Sequence, residues 1–316
     1  MSLPSLKILF ESGHPLVLCA RNWAQDLLSA MPAHDFLPMQ GQWYADCKTV
    51  RQHRLTQHQM TRPTGLLLPD SLTSALSFRL AGLACTGYRD DGRSLLLRWP
   101  IDKPVDDMHA VERWHYLTRT AMQKWDESPS QQRPSAQLGL PLSARHEQTA
   151  RQALADAKLT AMPFILIAPT ATGLHRGQVK VWPHFDCLTR ALQDRGHTVI
   201  ACPPSSETDA ARIASPSATL LPALSLGAFA ALTRHAALVI CNDSGVSHLA
   251  ASVGANQLTL FGVTSPERTG PWSSHAHTLG QEGEWPSLDS VLEYSLSLLA
   301  TAAATATTSI HETSHA

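Results

Sequence analysis

Residues 236–272, AALVICNDSGVSHLAASVGANQLTLFGVTSPERTGPW, limit the possible folds of this chain more than any other segment. An apolar run from Ala237 to Cys241 reads as a strand. A polar turn follows (Asn242, Asp243, Ser244, Gly245), then a short helix of small residues from Val246 to Val253, and a second apolar strand from Gln257 to Phe261. Strand, helix and strand in this order predict a parallel pair joined by a crossover. A turn that leaves the carboxyl end of a strand and opens a helix has unpaired backbone N–H groups, and such a helix start binds phosphate. A nucleotide-linked substrate is the first expectation.

The same alternation runs through both halves of the chain. In the first half, an apolar run covers Pro15 to Ala20, and a strand candidate covers Thr64 to Ser71. The helix after it places Leu72, Leu76 and Leu80 on one face, and a later helix carries Val111, Trp114, Leu117, Thr118 and Met122 at helical spacing. Composition then turns to Ser, Pro, Gln and Arg, the mark of a linker. Beyond it come a buried strand (Phe164 to Thr170), an amphipathic helix stopped near Gly196, and the strand TVIACPP. The predicted fold is α/β, with two Rossmann-like domains of parallel strands flanked by helices. The N-terminal domain spans 1–130, a linker 131–147 and the second domain 148–301. An Ala/Thr/Ser-rich tail, 302–316, is expected to be disordered.

Charge is balanced, with 25 Lys+Arg against 26 Asp+Glu in 316 residues, so no field favours nucleic acid. No apolar run approaches the roughly 18–20 residues that span a bilayer, and a signal-peptide pattern is lacking. The six cysteines form no Cys-x-x-Cys pair, and several lie in apolar runs as reduced, buried thiols. A cytoplasmic protein is expected. The histidines are scattered, and the one His-x-x-x-His spacing, His311 and His315, falls in the tail, so neither a metal site nor a cofactor is expected.

Two segments carry the candidate chemistry. At the first, Gly245 lets a ligand approach the backbone, and the helix start beyond it can hold a diphosphate; the dipole contributes roughly 1–2 kcal/mol. The carboxylate of Asp243 suits sugar hydroxyls better than phosphates. Asp243 or Ser244 would equally serve as the helix N-cap, and His248 either donates to a phosphate or caps the turn. The second segment, Ala168 to Pro183, is a strand followed by a polar loop in which Thr170, Thr172 and Gly173 offer donors. Lys180 is there either a point charge for a phosphate or an ordinary surface lysine.

The segment KVWP (Lys180 to Pro183), followed by NDSGVSHLAASVGANQLTLFG and TSPERTGPW, resembles the bacterial ADP-heptose:lipopolysaccharide heptosyltransferases, glycosyltransferase family 9. LLLPDSLTSALSFRLAGLACTGYRDDGRSLLL and the HAVERW of His109 to Trp114 are similar to the same family, nearest its second-heptose branch, which reads Asn where this chain has Asp70. The similarity runs from about Leu3 to Leu299. It implies the GT-B arrangement, two Rossmann-like domains facing across a cleft, and transfer of a heptose from ADP-heptose to the lipopolysaccharide inner core. Carried over residue by residue, Thr172 and Lys180 contact the donor diphosphate and sugar, with Thr170 beside them. Asp243 takes heptose hydroxyls, Ser244, Gly245 and His248 hold the diphosphate, and Glu207 takes the donor ribose. No Asp-x-Asp pair occurs, consistent with metal-independent transfer. The implied partners are ADP-heptose and a lipopolysaccharide core acceptor, with no nucleic acid. Membrane contact is at most peripheral, at the inner face of the inner membrane, and the protein is expected to be a monomer. Arg89, Arg93 and Arg98 either meet acceptor phosphates or form a solvated face.

One departure stands out. The family opens with a strand and a Gly-Asp turn whose aspartate is the base, whereas this chain contains no Gly-Asp dipeptide and its opening, MSLPSLKILFE, resembles the helix after that turn. The first strand and the base are therefore expected to be absent, through a start codon assigned too late, a decayed gene, or the use of another base. Asp70 is the weak substitute, with helix N-capping as its competing role. Loss of a central strand predicts a gap or exposed edge in the N-terminal sheet and weak stability there. The chain is expected to be inactive as written unless another base serves. The alternatives are a non-catalytic nucleotide-sugar binder and a sugar-nucleotide epimerase.

Overall fold

The computed structural model describes residues 1–56, 63–90, 92–160 and 162–313. The chain divides into two compact units, Met1–Ser135 and Ala136–Ala316, with the boundary inside the expected linker. The far half of that linker is part of the second unit. Leu138 and Leu140 are buried there, the Leu140 N–H donates to the Ser252 carbonyl at 2.8 Å, and Ser143 already caps the next helix.

The first unit contains α1 (Leu3–Glu11), β1 (Val17–Arg21), α2 (Trp23–Leu27), β2 (Asp35–Met39), α3 (Trp43–Thr56), β3 (Thr64–Leu67), α4 (Leu72–Leu80), β4 (Ala84–Tyr88), β5 (Trp99–Ile101) and α5 (Ala110–Lys124). β1 and β2 pair in parallel, as do β3, β4 and β5 in that order, but among the described residues no strand joins β1 to β3. The expected gap in the N-terminal sheet is present.

α5 buries Val111, Leu117, Thr118 and Met122 as its spacing predicts, and His115 with them. α4 departs from its pattern: Leu72 and Leu80 are 48% and 52% exposed, while Ala75 and Ser77 face inward. The reason is close approach to α3, where the Ser77 hydroxyl donates to the Trp43 carbonyl at 3.1 Å. Small residues fit that contact and leucines do not.

The second unit contains α6 (Ala144–Asp156), β6 (Phe164–Ala168), β7 (Leu174–His175), β8 (Gln178–Val179), α7 (Phe185–Gln193), β9 (Thr198–Ala201), α8 (Thr208–Ala214), β10 (Thr219–Leu220), α9 (Leu226–His235), β11 (Leu238–Asn242), α10 (Gly245–Ser252), β12 (Gln257–Leu260), α11 (Pro266–Thr269), β13 (Ala276–Leu279) and α12 (Leu288–Thr313). Its sheet is parallel throughout, in the order β10-β9-β6-β11-β12-β13. β6 and β11 read as continuous apolar runs because helices cover both faces of a parallel sheet. Phe185, Leu188 and Leu192 of α7 pack with Ile165, Ile240 and Leu260 in the core. Within the tail expected to be disordered, the described residues continue α12 to Thr313, and 314–316 lie outside the described residues. That segment has no apolar stripe, but alanine is the strongest helix former, and propensity alone favours continuation. No helix among the described residues is long and apolar enough to cross a membrane.

Candidate functional site

Four loops of the second unit leave the carboxyl ends of adjacent strands β9, β6, β11 and β12. The chain order reverses between β6 and β11, and open parallel sheets bind ligands at such a switch point. Sequence-predicted residues occupy three of these loops.

Asp243 follows β11 and is only 6% exposed. Its Oδ2 accepts from Lys180 Nζ at 3.0 Å and from the Thr264 hydroxyl at 2.6 Å. Lys180 is thus a partner in a largely buried ion pair rather than a solvated surface lysine. Ser244 is the N-cap of α10, with its hydroxyl accepting from the Val246 N–H at 3.3 Å. The capping alternative therefore holds for Ser244 and not for Asp243, whose carboxylate turns toward Lys180. A Cβ built on Gly245 would meet no atom within 4 Å, so the space before the helix start is open. His248 lies half-buried one turn along α10, on the side of Ser244. On the loop after β9, Glu207 accepts from the Thr170 hydroxyl at 2.5 Å, joining the loops that follow β6 and β9. Thr172 is exposed. The long loop between Thr172 and Lys180 is a small hairpin, β7–β8, turned by Arg176 and Gly177 at φ 49° and 81°. Positive φ at both central residues matches the twist of a two-residue hairpin, and glycine adopts it without strain.

Two residues were not singled out by sequence reasoning. The Asn242 side-chain oxygen accepts from the Trp182 N–H at 2.8 Å, and its amide nitrogen donates to the Ala168 carbonyl at 3.3 Å. It fixes the loop that carries Lys180 against β6. Thr264 adds the second donor on Asp243. Both lie inside the quoted motifs, where a fully buried asparagine and a hydroxyl just past an apolar strand were the available signals. Trp182 anchors the same loop from below, fully buried, with Nε1 donating to the Pro286 carbonyl at 2.8 Å. Cys241, at the end of β11, is inert: burial pushes its thiol up to about 12, against a smaller lowering from its contact with Thr259.

In the first unit, Asp70 follows β3. The α4 cap is the neighbouring Ser71, whose hydroxyl accepts from the Ser74 N–H at 3.1 Å, so the N-cap role expected for Asp70 is corrected. The Asp70 carboxylate accepts from Arg93 at 3.2 Å and Lys103 at 2.8 Å, and Lys103 also contacts Asp90. Burial lowers the Lys103 pKa, but its bonds to Asp70 and Asp90 outweigh this and raise it. Both carboxylate oxygens of Asp70 are thus engaged by cations, Oδ1 by Arg93 and Oδ2 by Lys103. Arg93 is fully buried and donates to the Pro69 carbonyl at 2.9 Å, so it belongs neither to a solvated face nor to a phosphate site. Arg89 pairs with Asp102 at 3.0 Å, and the Arg98 guanidinium lies 5.8 Å from the Trp99 ring centre.

Residues 52–296 match the family model described as glycosyltransferase family 9 (heptosyltransferase). The chain belongs to this family. Its similarity to family relatives extends over most of its length. It is 27% identical over 299 residues to lipooligosaccharide heptosyltransferase 2 of Haemophilus influenzae, covering 86% of this chain and 81% of that protein. It is also 27% identical over 283 residues to lipopolysaccharide heptosyltransferase 2 of Escherichia coli K12, covering 81% and 76%. A glycosyltransferase family 9 structure from Veillonella parvula superposes with a TM-score of 0.80 at 14% identity, covering 95% and 93% of the two chains. The Escherichia coli ADP-heptose lipopolysaccharide heptosyltransferase II superposes at 0.71 with 24% identity, covering 95% and 94%. These superpositions establish the GT-B fold class of this glycosyltransferase.

Proposed function

We propose that this family 9 glycosyltransferase uses ADP-heptose as donor and the lipopolysaccharide inner core as acceptor. The observation that carries the reading is the convergence of Lys180, Asp243 and Thr264 beside the open start of α10. The bond from the heptose anomeric carbon to the β-phosphate oxygen breaks, and ADP leaves with that electron pair. The acceptor hydroxyl oxygen bonds to the anomeric carbon and gives up its proton to a base. Charge that grows on the departing diphosphate meets the first amides of α10 and the Lys180 ammonium, without a metal ion. Asp243 holds Lys180 in place through Oδ2 and offers Oδ1 to a heptose hydroxyl. Ser244, Gly245 and His248 line the diphosphate, Thr170 and Glu207 the ribose side, and Thr172 the outer loop.

The divided N-terminal sheet favours a second reading for the chain as it stands, a nucleotide-sugar binder without turnover, because acceptor-side loops depend on that sheet. Incubation with ADP-heptose and a set of truncated core acceptors, in the presence of a chelator, separates the two. Release of ADP with a mass gain of one heptose on the acceptor supports transfer. Binding of ADP-heptose without that gain supports the binder. Failure to bind any ADP compound overturns both, and inversion of configuration at one carbon of the free donor's sugar would assign an epimerase.

A further inference from the structure

The outer sides of α3 and α4 carry a surface that the donor site does not use. On α3, Tyr44, Lys48, Arg51, Gln52 and Leu55 are exposed and fall within an arc of about 100°, away from the buried Val50. On α4 the outer stripe is Leu72, Leu76, Arg79 and Leu80, opposite the side that buries Ala75 and Ser77. The two helices lie side by side. Ser77 bonds to the Trp43 carbonyl, and Arg54 Nη1 donates to the Gly82 carbonyl, just past α4, at 3.4 Å. Their outer stripes therefore form one face.

This face is apolar and cationic at once. Tyr44 and Leu55 are 69% and 60% exposed, and Leu72 and Leu80 stand beside them about half exposed. Single exposed apolar residues are ordinary, but a group of them on one face marks a contact surface. Lys48, Arg51 and Arg79 form no ion pair among the described residues, whereas Arg89, Arg190 and Arg212 each pair with an aspartate. The two helices hold one acid, Asp46, and its carboxylate turns back to accept from the Gln40 and Gly41 N–H groups at 2.7 and 3.0 Å.

That charge selects the occupant. A two-fold contact with a second copy would bring the same cations against each other. A bilayer of anionic phospholipid meets both halves of the face, with phosphates for the cations and an acyl boundary for tyrosine and leucine. We propose that the α3–α4 face docks on an anionic phospholipid bilayer, with Tyr44, Leu55, Leu72 and Leu80 at the acyl boundary and Lys48, Arg51 and Arg79 among the headgroups. The proposal rests on the proposed function in one respect. A lipopolysaccharide acceptor is held in a membrane by its acyl chains, and no helix among the described residues is long and apolar enough to cross one, so this chain meets the bilayer through a surface.

Flotation with vesicles, in the absence of ADP compounds, gives the test. Vesicles of equal parts phosphatidylglycerol and phosphatidylcholine are expected to retain at least about ten-fold more protein than phosphatidylcholine alone, and to release most of it between about 50 and 500 mM salt. Lys48→Gln, Arg51→Gln and Arg79→Gln together should lower retention at least about ten-fold. Lys7→Gln, Lys124→Gln and Arg133→Gln, an equal loss of charge from exposed positions elsewhere in the first unit, should leave most of it. Tyr44→Ser, Leu72→Ser and Leu80→Ser together should also lower it about ten-fold. All these positions are exposed, so unfolding midpoints should stay unchanged in every variant. Equal retention by the two vesicle types, no retention, or equal loss in the two glutamine variants would overturn the proposal. A dimer that disappears in the serine variant would assign the face to a second copy and overturn it too. Titration with ADP keeps the two readings apart: retention without ADP binding would remove the donor reading alone, and ADP binding without retention would remove the docking face alone.

Discussion

Lys180 and Asp243 act as a single unit, and their burial makes the pair testable. Removing one partner of a buried ion pair leaves an uncompensated charge and costs about 3–5 kcal/mol, whereas replacing both is far milder. Lys180→Met is therefore expected to destabilise the second unit by about 3 kcal/mol in denaturant unfolding. Adding Asp243→Asn to it should restore most of that loss, and equal stability of the two variants would show that the pair is not coupled. His115 governs a different property. Burial first, and the nearby Arg119 second, lower its pKa. The unfolded chain then binds more protons than the folded one below the ordinary histidine value of about 6.5. Its stabilising contribution is complete above that value and is lost as pH falls through it toward the lower folded value. His115→Gln should flatten the acid side of the stability profile, read from midpoints between pH 5 and 8; an unchanged slope would remove His115 as its source.

At the scale of elements, the α10 start separates folding from binding. A methyl group at Gly245 meets nothing in the protein, and alanine is favoured over glycine in a helix. Gly245→Ala should leave unfolding stability within about 0.5 kcal/mol or raise it slightly, while ADP affinity falls about ten-fold or more, because the ligand must approach that backbone. Unchanged affinity would move the diphosphate elsewhere. This element was legible in the sequence because strand, turn and helix follow one another without interruption, and local chemistry decides each step. Partnership between loops was not legible. Thr264 and Asp243 are 21 residues apart, and Lys180 and Asp243 are 63 apart, so only the strand order brings them together. Arg93 was misread for a related reason: a single arginine in a polar segment carries no sign that its guanidinium turns inward to Pro69 and Asp70. The leucines of α4 show that periodicity finds the helix but not which face a small-residue contact will bury.

At the scale of the whole chain, the two units differ in the completeness of their sheets, and the first is expected to be the less stable for that reason. The second unit holds six paired parallel strands, whereas the first holds its strands in groups of two and three. Calorimetric unfolding is expected to show two transitions, the lower one removing the ellipticity of the first unit, because a single two-state transition requires units of matched stability or strong coupling. A single transition that fits two-state behaviour would contradict this. The missing Gly-Asp dipeptide, together with an opening segment that resembles the helix after that turn, made the broken sheet readable in advance.

Calorimetric titration of ADP in the presence of a chelator tests the central claim most directly, by comparing the chain with its Lys180→Met/Asp243→Asn variant. The account predicts binding at one site in the unmodified chain and an affinity at least about ten-fold lower in the variant, which keeps its fold but loses the point charge beside the α10 amides. Equal affinity in both, or no binding of ADP to the unmodified chain, would contradict it.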